Sequence, residues 1–222
     1  MGPMVLTSRI LSRIPGLVHG FTPDPAVGPA GLRRARQVHG PEIVEAAAIG
    51  SPPPRADAVL TRPGGPPAGV VTADCVPVLL AARDGSAAAA VHVGWRGLAA
   101  GVLGKALTSL RAAAPEAPFA AAVGPGAAGC CYETLEEIAR RLDPKGRWSR
   151  RSRPGHALVD LRGVAAGRLE APDIDVELVG GCTICDPRWP SYRRDGERAG
   201  RLLAFIGYDV SAGRKQDVED AR

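Results

Sequence analysis

Residues 57–94 read DAVLTRPGGPPAGVVTADCVPVLLAARDGSAAAAVHVG, and their pattern decides the fold. Four apolar runs stand out: DAVLT (57–61), GVVTAD (69–74), VPVLLAA (76–82) and AAAAVHVG (87–94), each bounded by Gly, Pro or Asp. Short runs that are apolar at successive positions, rather than at alternate ones, belong to strands covered on both faces. They are the expected core sheet. On the C-terminal side, Leu98, Val102, Leu103, Ala106, Leu107 and Leu110 recur close to a 3.6-residue period until Pro115, which predicts a helix packed on that sheet. Phe119–Val123, Ile174–Val179 and Leu202–Gly207 read as further strands. GPGAAGCCYETLEEIARRL (124–142) reads as a glycine-rich turn entering an amphipathic helix, and 156–169 as another helix. On the N-terminal side, TPDPAVGPAGLRRAR (22–36) and GSPPPRA (50–56) are Pro- and Gly-rich loops. The expected architecture is α/β, a mixed sheet with helices packed on both sides, in one layered domain over 1–222 with a mobile polar tail from Ser211.

With 222 residues, 45% hydrophobic and 4% aromatic, the chain can bury one aliphatic core. The formal charge of +5 comes almost wholly from arginine, with lysine only at Lys105, Lys145 and Lys215, and goes with heavy use of Ala, Gly and Pro. That pattern reflects coding bias more than a partner. The basic run KGRWSRRSR (145–153) reads as a solvated loop, and so few aromatic residues do not make a nucleic-acid stacking surface. Arg9 and Arg13 interrupt any signal-peptide core, and no apolar stretch reaches spanning length, so a cytoplasmic protein is expected, without membrane or nucleic-acid partners, as a monomer or homodimer. Five cysteines, with Cys130 and Cys131 adjacent, do not form a secreted disulfide framework.

Three segments set a good metal ligand beside a tight turn or strand end: QVHG with His39, TADC with Cys75, and VHVG with His92. If strands 70–74 and 87–93 are neighbours, Cys75 and His92 share one end of the sheet and the loop of His39 can close over them. Two imidazoles and a thiolate would leave a fourth tetrahedral position open, the pattern of a catalytic zinc site. Each residue taken alone also reads as packed or hydrogen-bonded. Copper oxidase chemistry is excluded on composition: the chain has four histidines, and its two methionines, Met1 and Met4, sit at the terminus.

QVHG (37–40), TADC followed by Pro77, His92 before GWRGL (94–98), GP (124–125) with CCYE (130–133), Asp160-Leu161, CT and CD at 182–186, and SYRRDG (191–196) occur in an order that resembles the family once labelled multicopper polyphenol oxidase. Its members are described as zinc-dependent purine nucleoside phosphorylases with adenosine deaminase activity. The resemblance implies zinc as cofactor, His39, Cys75 and His92 as its ligands, and adenosine, inosine and S-methyl-5'-thioadenosine with phosphate as substrates. Arg96, Arg193 and Arg194 are the candidate phosphate forks, with Gln37 beside them as substrate-binding; each arginine also reads as an ion pair with Asp74 or Asp195. Asp74 either relays a proton at the metal or satisfies backbone N–H groups of its turn. Cys130 and Cys131 read as packed small residues, and Cys182 with Cys185 as a structural CxxC lacking a second CxxC.

The chain departs from the family between His19–Phe21 and Gln37, where a longer segment with a T-R-x-G-G turn and an S-L-N-L strand is replaced by 22–36. Four further functions compete with the phosphorylase: a peptidoglycan-precursor editing amidase on the same metal, a cysteine hydrolase with Cys75 as nucleophile and His92 as base, a metal-binding scaffold without turnover, and, ranked last, a basic nucleic-acid-binding module using the 145–153 arginines with Trp148.

Overall fold

The structure is a computed structural model that describes residues 2–209; the tail from Ser211 lies outside them. In chain order the strands are β1 (Leu17–Thr22), β2 (Ile43–Glu45), β3 (Ala58–Thr61), β4 (Ala68–Thr72), β5 (Val76–Ala82), β6 (Ala88–Val93), β7 (Phe119–Val123), β8 (Glu133–Leu135), β9 (Ser149–Arg151), β10 (His156–Val159), β11 (Ile174–Leu178) and β12 (Leu202–Tyr208). The α-helices are α1 (Trp95–Ala99), α2 (Val102–Ala113), α3 (Glu136–Leu142), α4 (Leu161–Gly167) and α5 (Tyr192–Asp195).

Six strands form the central mixed sheet in the order β11-β7-β5-β6-β3-β2. Its outer pairs β11/β7 and β3/β2 are parallel and the inner ones antiparallel. The inner strands are buried on both faces, as their unbroken apolar runs require. Val78, Leu80, Val91 and Val123 face one layer together with Leu103, Leu110, Leu142 and Val164 of α2, α3 and α4. Leu79, Ala81, Ala90 and Ala122 face the other, against Leu11, Phe21, Val70 and Ile206. That second layer is the antiparallel sheet β1-β12-β4 with single 3-10 turns at Leu11–Arg13 and Ala46–Ala48. Helices α1 to α4 thus lie on one face, and the smaller sheet with its 3-10 turns, rather than further long helices, packs on the other. The alanines of β6 and β7 let the two sheets approach closely.

The expected pairing of strand 70–74 with 87–93 does not occur. Both edges of β6 are taken, by β5 and β3, and β4 pairs with β12. The chain crosses from one sheet to the other through the corner Ala73–Cys75, with Asp74 at φ 80. Cys75 therefore comes to His92 through β5, whose Val76 and Pro77 pair with Val93 and His92. The helix expected over 156–169 is a strand, β10, followed by α4, because the Asp160 carboxylate accepts from the backbone N–H of Arg162 and Gly163 at 3.1 and 3.0 Å and starts the helix there. Likewise the glycine turn at 124–129 leads into β8 before α3, and the helix after Trp95 is interrupted at Gly101, whose φ of 84 suits glycine.

Candidate metal centre

His39, Cys75 and His92 meet at one end of the central sheet. Their ligand atoms all lie within 4.8 Å of one another. His92 is buried in β6, Cys75 is half-buried at the start of β5, and His39 sits exposed in the 37–40 loop, its ring edge-on to that of His92 with centroids 4.8 Å apart. Gly94 makes room for this: a Cβ there would lie 2.9 Å from Cys75 Sγ and 2.9 Å from His39 Cδ2.

Asp57, fully buried at the head of β3, organises the cluster. Its Oδ1 accepts from His92 Nδ1 at 2.7 Å and from the backbone N–H of His39 at 2.9 Å, while its Oδ2 accepts from Val38 and Gly40 at 3.1 and 2.8 Å. These bonds hold His39 in a left-handed conformation (φ 60) that costs a non-glycine residue about 1 kcal/mol or more. With Nδ1–H donated to Asp57, the Nε2 lone pair of His92 is left for the cluster, the usual arrangement of a ligating histidine backed by a carboxylate. Burial would raise the Asp57 carboxyl, but His92 and the N–H groups outweigh it and hold it below the ordinary value.

The donor set suits a borderline-soft divalent ion such as zinc: two imidazole nitrogens, one thiolate, a tautomer fixed from behind, and an open side. Without a metal Cys75 and His92 form a charge pair. Burial opposes ionisation of both partners, yet the bonds to His39 and His92 lower the Cys75 thiol to about 7, and Asp57 and Cys75 raise His92 to about 9. For His92, raised above its unfolded value, the pairing is present at low pH and lost as pH rises through about 9; for Cys75, lowered, it is lost as pH falls through about 7. The thiolate–imidazolium pair occupies the window between. Zinc binding at pH 8 should therefore release the His92 proton, and below about 7 a second proton from Cys75. Calorimetry in buffers of different ionisation enthalpy measures this; release that does not increase as pH falls from 8 to 6 would contradict it.

The cluster opens on a cleft of about 710 Å³ that is also lined by Gln37, Thr72, Asp74, Tyr132, Tyr192 and the arginines Arg34, Arg193 and Arg201. Gln37 is engaged on both sides of its amide, its Nε2 donating to the Val71 carbonyl at 2.7 Å and its Oε1 accepting from Val71 N–H at 2.8 Å. The Asp74 carboxylate accepts from Thr183 Oγ1 at 2.7 Å and from Arg193 N–H at 2.6 Å, so it ties two loops of the cleft wall together. Arg193 reaches the cleft, its guanidinium 5.2 Å from the Tyr132 ring centroid and one nitrogen donating to the Glu133 carbonyl. Arg194 turns away: it pairs with Asp195 and donates to the carbonyls of Thr183, Ile184, Asp186 and Trp189. Arg96 is exposed and does not line the cleft; its guanidinium lies 4.7 Å from the Trp95 ring centroid. Thr72 Oγ1 is buried on the cleft wall and is one of two buried side-chain polar atoms without a hydrogen-bond partner among the described residues.

A family model described as multi-copper polyphenol oxidoreductase laccase matches residues 25–209. The chain belongs to that family. A protein from Streptomyces coelicolor named purine nucleoside phosphorylase is 44% identical over 194 residues, 82% of this chain and 77% of the relative. One of the same name from Xylella fastidiosa (strain 9a5c) is 41% identical over 187 residues, 78% of this chain and 71% of the relative. The crystal structure of YlmD from Geobacillus stearothermophilus shares the fold, with a TM-score of 0.77 at 23% identity, covering 94% of this chain and 97% of its own. Among the described residues of this laccase-family chain, His39 and His92 are the histidines brought together. His19 Nε2 instead accepts from Ser8 N–H, and His156 Nδ1 contacts the Pro154 carbonyl. None of the described helices is long and apolar enough to cross a membrane.

Sequence reasoning missed Asp57, Thr72, Tyr132, Arg34 and Arg201 as cleft or site residues. Asp57 had one visible signal, a carboxylate opening an otherwise apolar run, and that was read as a strand boundary.

Proposed function

We propose that the chain is a zinc-dependent purine nucleoside phosphorylase acting on adenosine, inosine and S-methyl-5'-thioadenosine, with adenosine deaminase activity on the same metal. The observation that carries this reading is a cluster of His39, Cys75 and His92 opening on a cleft that holds both aromatic rings and arginines. Relatives at 41% and 44% identity bear the phosphorylase name.

In phosphorolysis a phosphate oxygen forms a bond to the anomeric carbon as the bond from that carbon to the purine nitrogen breaks. The base leaves with the electron pair and takes up a proton. Arg193 is the phosphate-binding group, because its guanidinium faces the cleft and carries a fixed charge in a planar fork, and Arg34 and Arg201 add positive charge nearby. Arg194, bound by carbonyls and Asp195, has the positioning role of fixing the loop beneath. The exposed Tyr192 ring offers a flat apolar face to the purine, Tyr132 backs the Arg193 guanidinium, and the Thr72 hydroxyl offers a hydrogen bond to substrate. A zinc ion held by His39, Cys75 and His92 would supply Lewis acidity, the chemistry that deamination near neutral pH requires. Asp57 keeps His92 oriented throughout, and Asp74 holds the Thr183 and Arg193 loops against the cleft.

The zinc-loaded enzyme, given adenosine and inorganic phosphate, is expected to release adenine and ribose 1-phosphate, with inosine as the deamination product. Arg193→Ala should raise KM for phosphate about 10–100-fold, the loss of one charged hydrogen-bonding group, and leave bound zinc unchanged. Zinc-loaded enzyme inert toward nucleosides, but releasing serine from the nucleotide-linked muramyl-serine, would replace this reading with the editing amidase. A second reading, the cysteine hydrolase, is favoured by the Asp57 carboxylate that orients His92 toward Cys75. It requires turnover that survives complete removal of zinc.

A further inference from the structure

The other four cysteines, far apart in sequence, also come together. Cys130 and Cys131 lie on the loop before β8, and Cys182 and Cys185 on the loop after β11. The Sγ separations are 3.5 Å for Cys130–Cys131, 3.3 Å for Cys130–Cys185, 3.5 Å for Cys131–Cys182 and 2.9 Å for Cys131–Cys185, and all four atoms lie within 4.8 Å of one another. A tetrahedral zinc with Zn–S bonds of ~2.3 Å places its sulfurs ~3.8 Å apart. The four separations given are all shorter than that edge, so an ion at their centre needs the thiols to part by less than about 1 Å.

Packing does not account for the cluster, because free cysteines that act as small apolar residues are buried, whereas Cys130 and Cys185 are exposed and Cys131 and Cys182 only half-buried. The two loops are also held in register. Gly126 bridges to Cys182 in parallel, with Thr183 N–H donating to the Gly126 carbonyl at 3.2 Å. Beneath them the buried Arg162 donates to the carbonyls of Gly124, Val179 and Gly180 at 3.0 to 3.1 Å, pinning both loops at their roots. Four thiols are thus presented at one point by two anchored loops.

We propose that Cys130, Cys131, Cys182 and Cys185 bind a second zinc ion in a closed four-thiolate site, separate from the His39–Cys75–His92 centre. With all four positions filled by protein the site is structural. Its place in the fold gives it a task. Cys131 precedes Tyr132 of the cleft wall, and between Cys182 and Cys185 lies Thr183, whose hydroxyl donates to Asp74 next to Cys75. The ion ties together the two loops that wall the cleft. The sequence divides the ligands into an adjacent pair and a lone CxxC more than fifty residues apart, so neither half shows a site by itself.

The test is zinc per chain by elemental analysis of protein kept reduced, together with cobalt(II) substitution. Wild type is expected to hold two zinc ions, Cys75→Ala one, and the double variant C182S/C185S one. Cobalt-loaded Cys75→Ala should show the intense thiolate-to-cobalt charge transfer of four sulfur ligands, and the double variant the weaker band of one. If the double variant does not fold, the cobalt spectrum of Cys75→Ala decides. One zinc in wild type and none in Cys75→Ala would overturn the proposal, as would an intact mass of freshly prepared wild type showing that these cysteines are joined as disulfides. The two centres lose their ions in different variants, so failure of either is read separately.

Discussion

Cys75→Ala is expected to lose the zinc held with His39 and His92 and, with it, at least about a thousandfold in kcat/KM toward adenosine and phosphate. Two imidazoles 4.8 Å apart remain, but they no longer complete a three-ligand site, and the charge that offsets a divalent cation is gone. A thousandfold corresponds to about 4 kcal/mol of transition-state stabilisation, a magnitude in keeping with removing a charged electrophile from a cleft. The loss should fall on catalysis rather than folding. Cys75 is half-buried and its deletion opens toward the cleft, so the metal-free protein loses its pairing with His92 but no core packing, and its unfolding midpoint should fall by only a few degrees. Steady-state kinetics and calorimetry on the same samples separate the two effects. A variant that keeps wild-type turnover would remove Cys75 from the site.

Asp57→Asn has a different signature, since it strikes folding and metal binding together. The native carboxylate, fully buried, receives four donors: His92 Nδ1–H and the N–H groups of Val38, His39 and Gly40. An amide can accept with only one of its two polar atoms, so its NH2 must face a donor whichever way it is turned. Breaking a buried charged network in this way costs about 3–5 kcal/mol, and the metal-free variant should unfold several degrees below wild type. His39 and its left-handed backbone are released with it, and His92 loses the partner that fixes its tautomer. Zinc affinity is expected to fall about 10–100-fold, the usual consequence of losing a carboxylate behind a ligating histidine. Competition with a chelator of known affinity measures it; unchanged affinity would mean that Asp57 supports the fold alone.

The contrast between these two residues also shows what the amino-acid order discloses. Cys75, His39 and His92 were legible because each is a strong ligand flanked by turn residues, in motifs whose order resembles one family. Asp57 was not, because a carboxylate ahead of an apolar strand reads as punctuation; its four donors arrive from the 37–40 loop and from β6, and no local pattern announces them. The strands β3, β5, β6 and β7 and the helix α2 were plain in their apolar runs and period. The partner of β4 was not, because side-chain pattern records burial and not which edge a strand joins. Pairing β4 with β6 would have brought Cys75 near His92, and so does the real route through the Ala73–Cys75 corner. Arg193 and Arg194 are adjacent in sequence, and only the turn of α5 sends one to the cleft and the other into a cage of carbonyls. The four-cysteine cluster is the largest omission. Neither CC nor a single CxxC carries a site by itself, and the closing distances arise from the parallel pairing of β11 with β7, which brings the two loops side by side.

The most direct measurement is anomalous diffraction from crystals of zinc-loaded protein, collected on both sides of the zinc absorption edge, with a second crystal soaked in adenosine. An anomalous peak is expected within bonding distance of a His39 ring nitrogen, Cys75 Sγ and His92 Nε2, with its fourth side toward the cleft and substrate density between it and Arg193. No peak among these three atoms in fully loaded crystals would contradict the metal centre, and with it the phosphorylase reading built upon it.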